Sequence, residues 1–362
     1  MEQKRLGDIA TYINGYAFKP EDRGSTGLPI IRIQDLTGNA YDLGFYDGKY
    51  PEKIEINDGD VLISWSASLG VYIWNRGKGL LNQHIFKVVF DKYEVNKQYF
   101  VFAVKHKLKE MELKTHGATM KHIVKKDFDN TVIPFPTVEK QADIAYILSK
   151  IESIVEFRQQ ELQQLDDLIK ARFVEMFGDM YLNSKGWPEA KLESMADVVS
   201  GITKGRKTKA EDLTEVPYMA VSNVKDGYID WTTVKTIEAT QQEIEQYRLL
   251  ADDVLMTEGG DPDKVGRGAI IKEPLENCIH QNHIFRVRLD ESMILPEFFA
   301  EYLQHQRSKR YFLGCAKQTT GIASINMTQL RALPVLMPPL SKQEEFVLFK
   351  AQVNKSKLKK LR

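Results

Sequence analysis

The hexapeptide QHIFKV at residues 83–88 returns nearly unchanged as NHIFRV at residues 282–287. In each copy a histidine, His84 or His283, precedes Ile-Phe, a basic residue and Val. A match of six residues can arise by chance, so its weight depends on whether the flanking segments match as well.

The flanking segments match in the same order. The separation between matched residues grows from 186 positions (Leu6 to Leu192) to 202 positions (Gln141 to Gln343). A steady order with a slowly growing separation is typical of a duplicated domain with loop insertions, whereas a short fixed period would indicate a solenoid. The other matched segments are KRLGDIATYINGY (4–16) with AKLESMADVVSGI (190–202), LPIIRIQDL (28–36) with VPYMAVSNV (216–224), NDGDVLIS (57–64) with LADDVLMT (250–257), and VIPFPTVEKQADI (132–144) with PVLMPPLSKQEEF (334–346).

Each repeat is predicted to be a mixed α+β unit. Stretches rich in β-branched residues, such as PIIRI (29–33) and DVLISW (60–65), are separated by Gly, Asn and Asp and favour strands. A helical stretch follows in each repeat, at 96–112 and 296–312. A polar loop containing glycine and a final apolar segment with prolines close the unit.

A long helix is predicted between the repeats. From Thr137 to Phe177 the sequence contains neither Gly nor Pro, and Gly178 stands where a helix C′ glycine belongs. From Ile144 the positions of this pattern recur at alternating steps of four and three, with Arg158 and Arg172 as two basic interruptions, which is a heptad pattern. These candidate docking residues are Ile144, Leu148, Ile151, Val155, Leu162, Leu165, Ile169 and Phe173.

A second, shorter heptad pattern begins after the second repeat, at Val347, and is expected to pair with the first. By the separation of 202 positions it ends at Arg362, before its counterpart does, so part of the first helix is expected to lack an intrachain partner. We therefore expect an α+β protein in which two similar globular α/β domains are separated by long antiparallel coiled-coil spacer helices. The predicted boundaries are 1–136 for the first domain, 137–180 for the central helix, 181–339 for the second domain and 340–362 for the short C-terminal helix.

Composition restricts the class of protein. No apolar run approaches the roughly 18 residues that span a bilayer, and the first residues lack the apolar core of a signal peptide. The two cysteines, Cys278 and Cys315, have no metal-ligand spacing, so a reduced cytoplasmic protein is expected. The chain has 50 basic and 50 acidic residues, and this zero net charge taken alone argues against a nucleic-acid binder. The bases are unevenly distributed, however, with four of them in KGRKTK at 204–209.

The sequence predicts no catalytic and no metal-ligating residue. GITKGRKT at 201–208 fails the spacing of a phosphate-binding loop. No His/Cys/Asp cluster has zinc spacing. The two histidines of the repeated hexapeptide fit core positions, with a DNA-facing or a catalytic role left open.

The duplicated order of these segments resembles the DNA specificity subunit of type I restriction-modification enzymes, over essentially the whole chain. The residues that carry the resemblance are IPFPTVEKQADI (133–144) and MPPLSKQEEF (337–346) at the domain-to-helix junctions, GDVLIS and DDVLMT within the domains, the repeated hexapeptide, and MFGD (176–179) after the first long helix. The resemblance implies that each repeat is a target-recognition domain that reads one half of a bipartite DNA site. It also implies that the helices dock two methylation subunits, which carry S-adenosylmethionine, and that nuclease/translocase subunits use ATP with Mg. No cofactor is expected in this chain.

DNA contacts are expected from basic and polar residues in loops that do not align between the repeats, because such loops are where the two readings differ. The matching hexapeptide itself is interpreted as scaffold. The candidate DNA-binding residues are Lys19, Arg23, Ser66, Arg76, Lys78, Thr119 and Lys121 in the first repeat, and Lys204, Arg206, Lys207, Lys264, Arg267, Gln318 and Thr319 in the second.

Two other functions remain open from the sequence. One is a specificity subunit of a stand-alone DNA methyltransferase without a nuclease partner. The other is a coiled-coil adaptor whose paired domains bind proteins.

Overall fold

The structure is a computed structural model that describes residues 2–39, 42–114, 123–206, 212–261, 265–319 and 322–361. The chain divides into two compact units, Met1–Phe157 and Arg158–Arg362. The division falls inside the longest described helix.

The first unit consists of short strands and helices in alternation. Its strands are β1 (Gln3–Arg5), β2 (Thr11–Asn14), β3 (Leu28–Ile31), β4 (Phe45–Tyr46), β5 (Glu55–Ile56), β6 (Val61–Ser64), β7 (Gly70–Ile73), β8 (Gly79–Leu81), β9 (Ile85–Val89) and β10 (Val132–Pro134). Its helices are α1 (Leu6–Ile9), α2 (Ile33–Thr37), α3 (Lys97–Lys114), α4 (Lys125–Asp129) and the first part of α5 (Val138–Phe177), with 3-10 turns at Pro20–Asp22 and Glu52–Ile54.

Two four-stranded sheets organise the first unit. One has the order β2-β9-β6-β7 and is antiparallel throughout. The other has the order β4-β3-β8-β5, and within it β3 and β8 run parallel, with Ile31 opposite Leu81. The first sheet packs its apolar side chains against α3, where Phe100 and Val104 are fully buried. The predicted strand at DVLISW is therefore confirmed, and the one at PIIRI is confirmed as far as Ile31, because α2 begins at Ile33.

The second unit repeats this arrangement. Its strands are β11 (Glu189–Lys191), β12 (Ala196–Ser200), β13 (Thr214–Met219), β14 (Lys235–Ala239), β15 (Val254–Thr257), β16 (Gly259–Gly260), β17 (Gly268–Ile270), β18 (Ile279–His280), β19 (Ile284–Leu289), β20 (Lys317–Thr319), β21 (Ile322–Ser324) and β22 (Pro334–Leu336). Its helices are the rest of α5, α6 (Gln241–Tyr247), α7 (Pro296–Tyr302), α8 (Gln306–Cys315), α9 (Met327–Arg331) and α10 (Leu340–Leu361), with 3-10 turns at Leu192–Ser194 and Val221–Asn223.

The main sheets of the two units correspond, although the second unit has no described counterpart of β5 and adds the small sheet β16-β21-β20. The antiparallel sheet β12-β19-β15-β17 matches β2-β9-β6-β7, and the parallel pair β13 and β18 matches β3 and β8. Met219 lies opposite His280 as Ile31 lies opposite Leu81. The ends of each domain are joined in the same way, by β1 with β10 and by β11 with β22. The predicted duplication is thus a duplication of the fold.

In each domain a buried glutamine fixes the start of the helix that follows, which is α5 after the first domain and α10 after the second. Gln141 accepts a hydrogen bond from the peptide nitrogen of Asn96 (3.0 Å) and donates one to the carbonyl of Pro136 (2.9 Å). Gln343 makes the equivalent pair with the nitrogen of Leu295 (2.8 Å) and the carbonyl of Pro338 (2.8 Å). Burial favours such a pairing because an unpaired backbone group away from water is costly. These bonds explain why Pro and Gln recur at both junctions.

The long helix is continuous over 40 residues, Val138–Phe177, as the absence of Gly and Pro predicts. Gly178 follows it with a φ of +78° and donates its peptide N–H to the carbonyl of Val174 (2.8 Å). This left-handed residue ends the helix because glycine adopts positive φ without steric strain.

Within the second unit, α10 packs against α5 in antiparallel orientation. Arg172 pairs with Glu345 (2.8 Å), whereas Asp166, earlier on α5, pairs with Lys357, later on α10. Phe173 lies between the two helices in the core, and its ring centroid is 5.1 Å from that of Phe346. The antiparallel pairing predicted from the heptads is confirmed.

The predicted second-domain helix at 296–312 is broken in the structure. Residues between α7 and α8 leave the helix, and His305 adopts an extended conformation before α8 begins. The ring of His305 then stacks on Phe173 at 4.2 Å between centroids. Burial lowers the pKa of this histidine and keeps it neutral in the aromatic core. This contact explains the break, which the local sequence pattern does not indicate.

In the part of the chain that is described, no helix combines the length and the apolar character needed to cross a bilayer.

Candidate nucleic-acid interface

A polar turn joins β8 to β9 in the first domain. The peptide nitrogen of Asn82 donates to the carbonyl of Ile31 (3.0 Å), and that of Gln83 donates to the carbonyl of Tyr16 (2.9 Å). His84 has a φ of +71°, the left-handed conformation of a tight turn. The backbone of these three residues is therefore held from two sides, while the side chain of Gln83 is exposed.

The second domain holds the equivalent turn with the same bonds. Gln281 donates its peptide N–H to the carbonyl of Met219 (3.0 Å), and Asn282 donates to the carbonyl of Ile202 (3.0 Å). His283 closes this turn. The two amide types stand in opposite order, so the turn presents Asn-Gln-His in one domain and Gln-Asn-His in the other. The equivalent backbone bonds are shared, but His283 does not have the positive φ of His84.

A glycine makes room for each turn. A Cβ on Gly15 would lie 2.0 Å from the carbonyl oxygen of Asn82, and a Cβ on Gly201 would lie 1.9 Å from that of His280. Both distances are far inside van der Waals contact with rigid backbone. The sequence match of Gly15 with Gly201 thus records a close approach of two chain segments that any side chain would block.

A cleft of about 310 Å³ opens beside the turn of the first domain. Three segments form its walls: the start of α2, the loop after β6, and the turn itself. Its lining residues are Arg23, Arg32, Ile33, Gln34, Thr37, Asn39, Ala67, Ser68, Asn82, Gln83 and His84. Among these described lining residues there is no carboxylate, although the chain as a whole has as many acids as bases.

The two arginines of the cleft differ in role. Arg32 is buried, and its Nε lies 3.2 Å from Asp35, so its charge is balanced inside the domain. Arg23 is exposed, and no described carboxylate lies within ion-pairing distance of its guanidinium. Arg23 is therefore the cation available to a ligand at the edge of the cleft.

Each turn histidine is hydrogen-bonded by a residue from a neighbouring segment, and this residue differs between the domains. The peptide nitrogen of Trp65 donates to the carbonyl of His84 (3.2 Å), and the peptide nitrogen of Glu258 donates to that of His283 (3.0 Å). In the first domain the Trp65 ring packs edge-on against the His84 ring, 4.9 Å between centroids. In the second domain the carboxylate of Glu258 lies 2.5 Å from Nδ1 of His283. One backbone position therefore supplies an aromatic ring in one domain and a carboxylate in the other.

A comparison with known families identifies the repeated unit. The family model for the type I restriction modification DNA specificity domain matches residues 1–167 and again residues 184–360. The chain belongs to the type I restriction-modification DNA specificity family. Each of its two domains is a DNA specificity domain, and the resemblance found in the sequence is confirmed.

Relatives in this family match along most of the chain. The EcoBI specificity subunit of Escherichia coli is 22% identical over 370 residues, which cover 94% of this chain and 77% of that protein. The EcoKI specificity subunit of Escherichia coli K12 is 23% identical, with 94% and 79% covered. Among solved structures, the type I restriction-modification S subunit of M. genitalium superposes with a TM-score of 0.55 at 14% identity, covering 99% of this chain and 90% of that one. That similarity supports the shared fold.

The predicted DNA-contacting residues of the first specificity domain lie in three different environments. Lys19 and Arg23 are exposed, and Arg23 lines the cleft. Ser66 is only 8% exposed, which leaves little of it for a ligand. Arg76 packs over the Trp74 ring, and Lys78 forms an ion pair with Glu55 at 2.9 Å. Among the described residues of this set, only Arg23 lines the cleft beside the polar turn.

In the second specificity domain, some of the predicted DNA-contacting residues also form contacts within the domain. Arg206 forms a two-pronged ion pair with Glu243, with Nε 2.6 Å from the carboxylate. This pairing raises the pKa of Arg206 and lowers that of Glu243. Lys204 is exposed and Arg267 is half-buried. Gln318 and Thr319 belong to β20, which pairs with β21. Thr119, Lys121, Lys207 and Lys264 lie outside the described residues.

Sequence reasoning missed the polar residues of the turns and of α2. The interpretation of the hexapeptide as scaffold holds for Ile85, Phe86 and Val88, which are buried. It fails for the positions before them, since Gln83 is exposed and the side chain of His283 is 56% exposed, not in the core. The signal was present in the sequence, because polar residues precede the apolar ones at the same place in both repeats.

The heptad residues of α5 divide into an exposed and a buried set. Ile151 and Val155 are exposed, and Ile144 and Leu148 are half-buried. Towards the end of the helix, Leu162 and Leu165 are half-buried, and Ile169 and Phe173 are buried in the core of the second unit. Further apolar side chains on the first part of α5 are exposed although the heptad pattern did not include them: Tyr146, Ile147, Ile154 and Phe157.

Chemistry that would hold a metal is not assembled in the described part of the chain, where no three His, Cys, Asp or Glu side chains lie together in a suitable group. Burial raises the pKa of the Cys278 thiol to about 12 and also raises that of Cys315. Both thiols therefore stay protonated at neutral pH and are poor ligands and nucleophiles.

Proposed function

We propose that this chain is the sequence-reading subunit of a type I restriction-modification complex, in which each specificity domain reads one half of a bipartite DNA target. The observation that carries the proposal is the pair of polar turns. They are held by the same backbone bonds in both domains, yet they present different side chains beside a Trp in one and a Glu in the other. A shared scaffold with different polar surfaces is what two independent readers of different sequences require.

The distribution of charge supports DNA as the ligand despite the zero net charge. DNA carries dense negative charge, so a reading surface should bear cations at its edge and carry few carboxylates. The cleft of the first domain meets both conditions, with Arg23 at its edge. Acidic residues are concentrated elsewhere, for example on α5.

The exposed apolar face of α5 is proposed as the docking surface for methylation subunits. Ile147, Ile151, Ile154 and Phe157 are each at least half exposed, Phe157 at 69%. Burying an apolar side chain of this size contributes about 1.5–3 kcal/mol, and a patch of several such residues is typical of a protein interface. Two methylation subunits are expected to bring S-adenosylmethionine to the complex. Nuclease/translocase subunits that use ATP with Mg complete it, in the cytoplasm.

The proposal is tested by expressing the chain with a methylation subunit and sequencing the methylated DNA. We expect one bipartite motif with unread bases between its halves. Replacing residues 1–136 by the first domain of a related subunit should change one half of that motif and leave the other intact. If the motif changed in both halves, or if the complex methylated without sequence preference, the proposal that each domain reads one half-site independently would be wrong.

A binding measurement provides the control for an adaptor that binds only proteins. The purified complex is titrated with target and non-target duplexes at several salt concentrations. A DNA reader loses affinity steeply as salt rises and keeps a preference for the target. Equal and weak binding to both duplexes at all salt concentrations would contradict the proposal.

A further inference from the structure

We propose that the carboxylate-free cleft of the first domain is its base-reading surface, with Gln34 and Gln83 as the residues that determine specificity and adenine as the base class they recognise. This inference rests on the proposed function and names the part of the first domain that performs it. Neither residue stands in a loop where the two repeats fail to align.

The first step is that both glutamines are free to bind. Gln34 and Gln83 are exposed, and within the described part of the chain neither side-chain amide has a hydrogen-bond partner. The other amides at this edge are engaged, since Asn82 accepts from the peptide nitrogen of Gln83 (2.9 Å) and Asn39 donates to Thr37 (3.3 Å). Two unsatisfied amides therefore face one cleft.

The second step is that the backbone beneath them is fixed. Gln83 is bonded through its peptide nitrogen to Tyr16, and the turn is closed by His84 in the left-handed conformation. Gln34 stands in the first turn of α2, next to Asp35, which caps that helix by accepting from the nitrogen of Arg32 (2.8 Å). A reader on a fixed backbone loses little conformational freedom when it binds, which favours discrimination between bases.

The third step is chemical. A glutamine amide offers one donor and one acceptor side by side, and this pattern matches N7 and N6 of adenine in the major groove. His84 adds an unpartnered polar atom, because its Nδ1 is buried without a hydrogen-bond partner among the described residues. Arg23 at the edge of the cleft is suited to a phosphate, which would position the domain without reading sequence.

The second domain provides the contrast that a specificity role demands. Ser222 takes the place of Gln34 in the matched segment VPYMAVSNV, and the carboxylate of Glu258 lies beside the turn. A carboxylate accepts hydrogen bonds and donates none, so it suits the N4 amino group of cytosine and cannot make the paired contact to N6 and N7 of adenine. The contrast therefore comes from Ser222 in place of Gln34 and from Glu258 in place of Trp65, whereas Asn282 keeps an amide at the position of Gln83.

The test uses the complex of the full chain with its methylation subunit, whose motif is first determined with the wild-type chain. Gln34→Ala and Gln83→Ala are then assayed against the target duplex and against duplexes with each base pair of the motif replaced. Each variant should lose roughly 5- to 150-fold of its discrimination at one A·T pair of the first half-site. Discrimination throughout the other half-site should be unchanged. Arg23→Ala should instead weaken binding to all sequences alike and reduce its salt dependence.

Two further variants keep the test decisive. Gln3→Ala removes an exposed glutamine on β1 of the same domain and should leave the motif unchanged. Gln83→Glu has the same shape as the native residue, so it should fold, yet it removes the donor and adds a charge near phosphate. If Gln34→Ala, Gln83→Ala and Gln83→Glu all read the motif as Gln3→Ala does, the inference is wrong while the proposed function stands. If the wild-type complex itself shows no sequence preference, the proposed function fails first.

Discussion

Glu258 and His283 are joined twice, through the peptide nitrogen of Glu258 to the carbonyl of His283 (3.0 Å) and through the carboxylate to Nδ1 of the ring (2.5 Å). The first bond belongs to the scaffold, because Trp65 and His84 make it too. The second bond exists only in the second domain and fixes the orientation of an exposed ring. This pair therefore contains one bond that both domains make and one bond that is made in the second domain alone.

Substituting Glu258 should affect recognition more than stability. Exposed ion pairs contribute about 0–1 kcal/mol, so Glu258→Gln should change the free energy of unfolding by less than about 1 kcal/mol. It should nevertheless alter base preference in the half-site that the second domain reads. Urea unfolding and sequencing of methylated DNA measure the two effects. A large loss of stability with an unaltered motif would mean that the pair is only structural.

Alanine at Gly201 should destabilise the second domain. Its Cβ would lie 1.9 Å from the carbonyl oxygen of His280, so one of two backbone segments must move, at about 1–3 kcal/mol. Gly314 is the matched control, because in α8 a Cβ there meets no heavy atom within 4 Å and alanine should raise stability by about 0.5–1 kcal/mol. Thermal unfolding of the two variants should shift in opposite directions. Equal shifts would show that the close approach is not tight in solution.

Removing the buried glutamine at the start of α10 should weaken its attachment to the domain. Gln343→Ala leaves the nitrogen of Leu295 and the carbonyl of Pro338 without partners, which should lower the free energy of unfolding by about 2–3 kcal/mol. The exposed Gln352 on the same helix is the control, and Gln352→Ala should be nearly neutral. Chemical denaturation distinguishes the two, and a neutral Gln343→Ala would contradict the assignment.

The second domain should lose stability in mild acid because of His280. This ring is fully buried, and burial, assisted by the charge of Arg286, lowers its pKa to about 3. The unfolded chain, with a histidine pKa near 6.5, binds more protons between these values, so stability falls as pH drops below about 6.5. Between pH 7 and pH 5 the free energy of unfolding should fall by about 2 kcal/mol.

Leucine in place of His280 should remove this contribution to the pH dependence of stability. The first domain has Leu81 at the equivalent place, opposite Ile31 as His280 is opposite Met219. Urea unfolding of the wild type and of His280→Leu at pH 7 and pH 5 measures the difference. Curves that shift equally for both proteins would indicate that the ring is not the group that titrates.

Charged residues on the exposed face of α5 should block docking. The double substitution of Ile151→Lys and Ile154→Lys places two cations where apolar contacts are proposed, and co-purification with a methylation subunit should be lost. The control is Leu182→Lys, at a residue that is 70% exposed but lies outside the long helices. Sedimentation of the mixed proteins reports the complex. Undiminished complex formation by the double variant would place the docking surface elsewhere.

The duplication and the long helix could be predicted because both leave periodic or ordered signals in the sequence. Matched glycines and prolines indicated matched backbone positions, as Gly15 and Gly201 illustrate. A heptad pattern in a stretch without Gly or Pro indicated a helix that ends at a glycine, as it does at Gly178.

Contacts between distant residues could not be predicted in this way. Arg206 pairs with Glu243, 37 residues away, and nothing near either residue announces the ion pair. The break before α8 likewise depends on Phe173, which lies on another helix. Charge in a loop was therefore a poor guide to which arginines are free, and the proposed reading surface is formed by three segments that are distant in the sequence.

The junction at Gln141 has a consequence for how new specificities can arise. Gln141 bonds only to backbone atoms of the domain that precedes it, the nitrogen of Asn96 and the carbonyl of Pro136. Backbone atoms are common to every sequence, so these two bonds require the same local path of an incoming domain and no particular side chain. A recombination event or an engineered graft at this point can thus exchange a whole reader in one step, with the helix beyond it left unaltered.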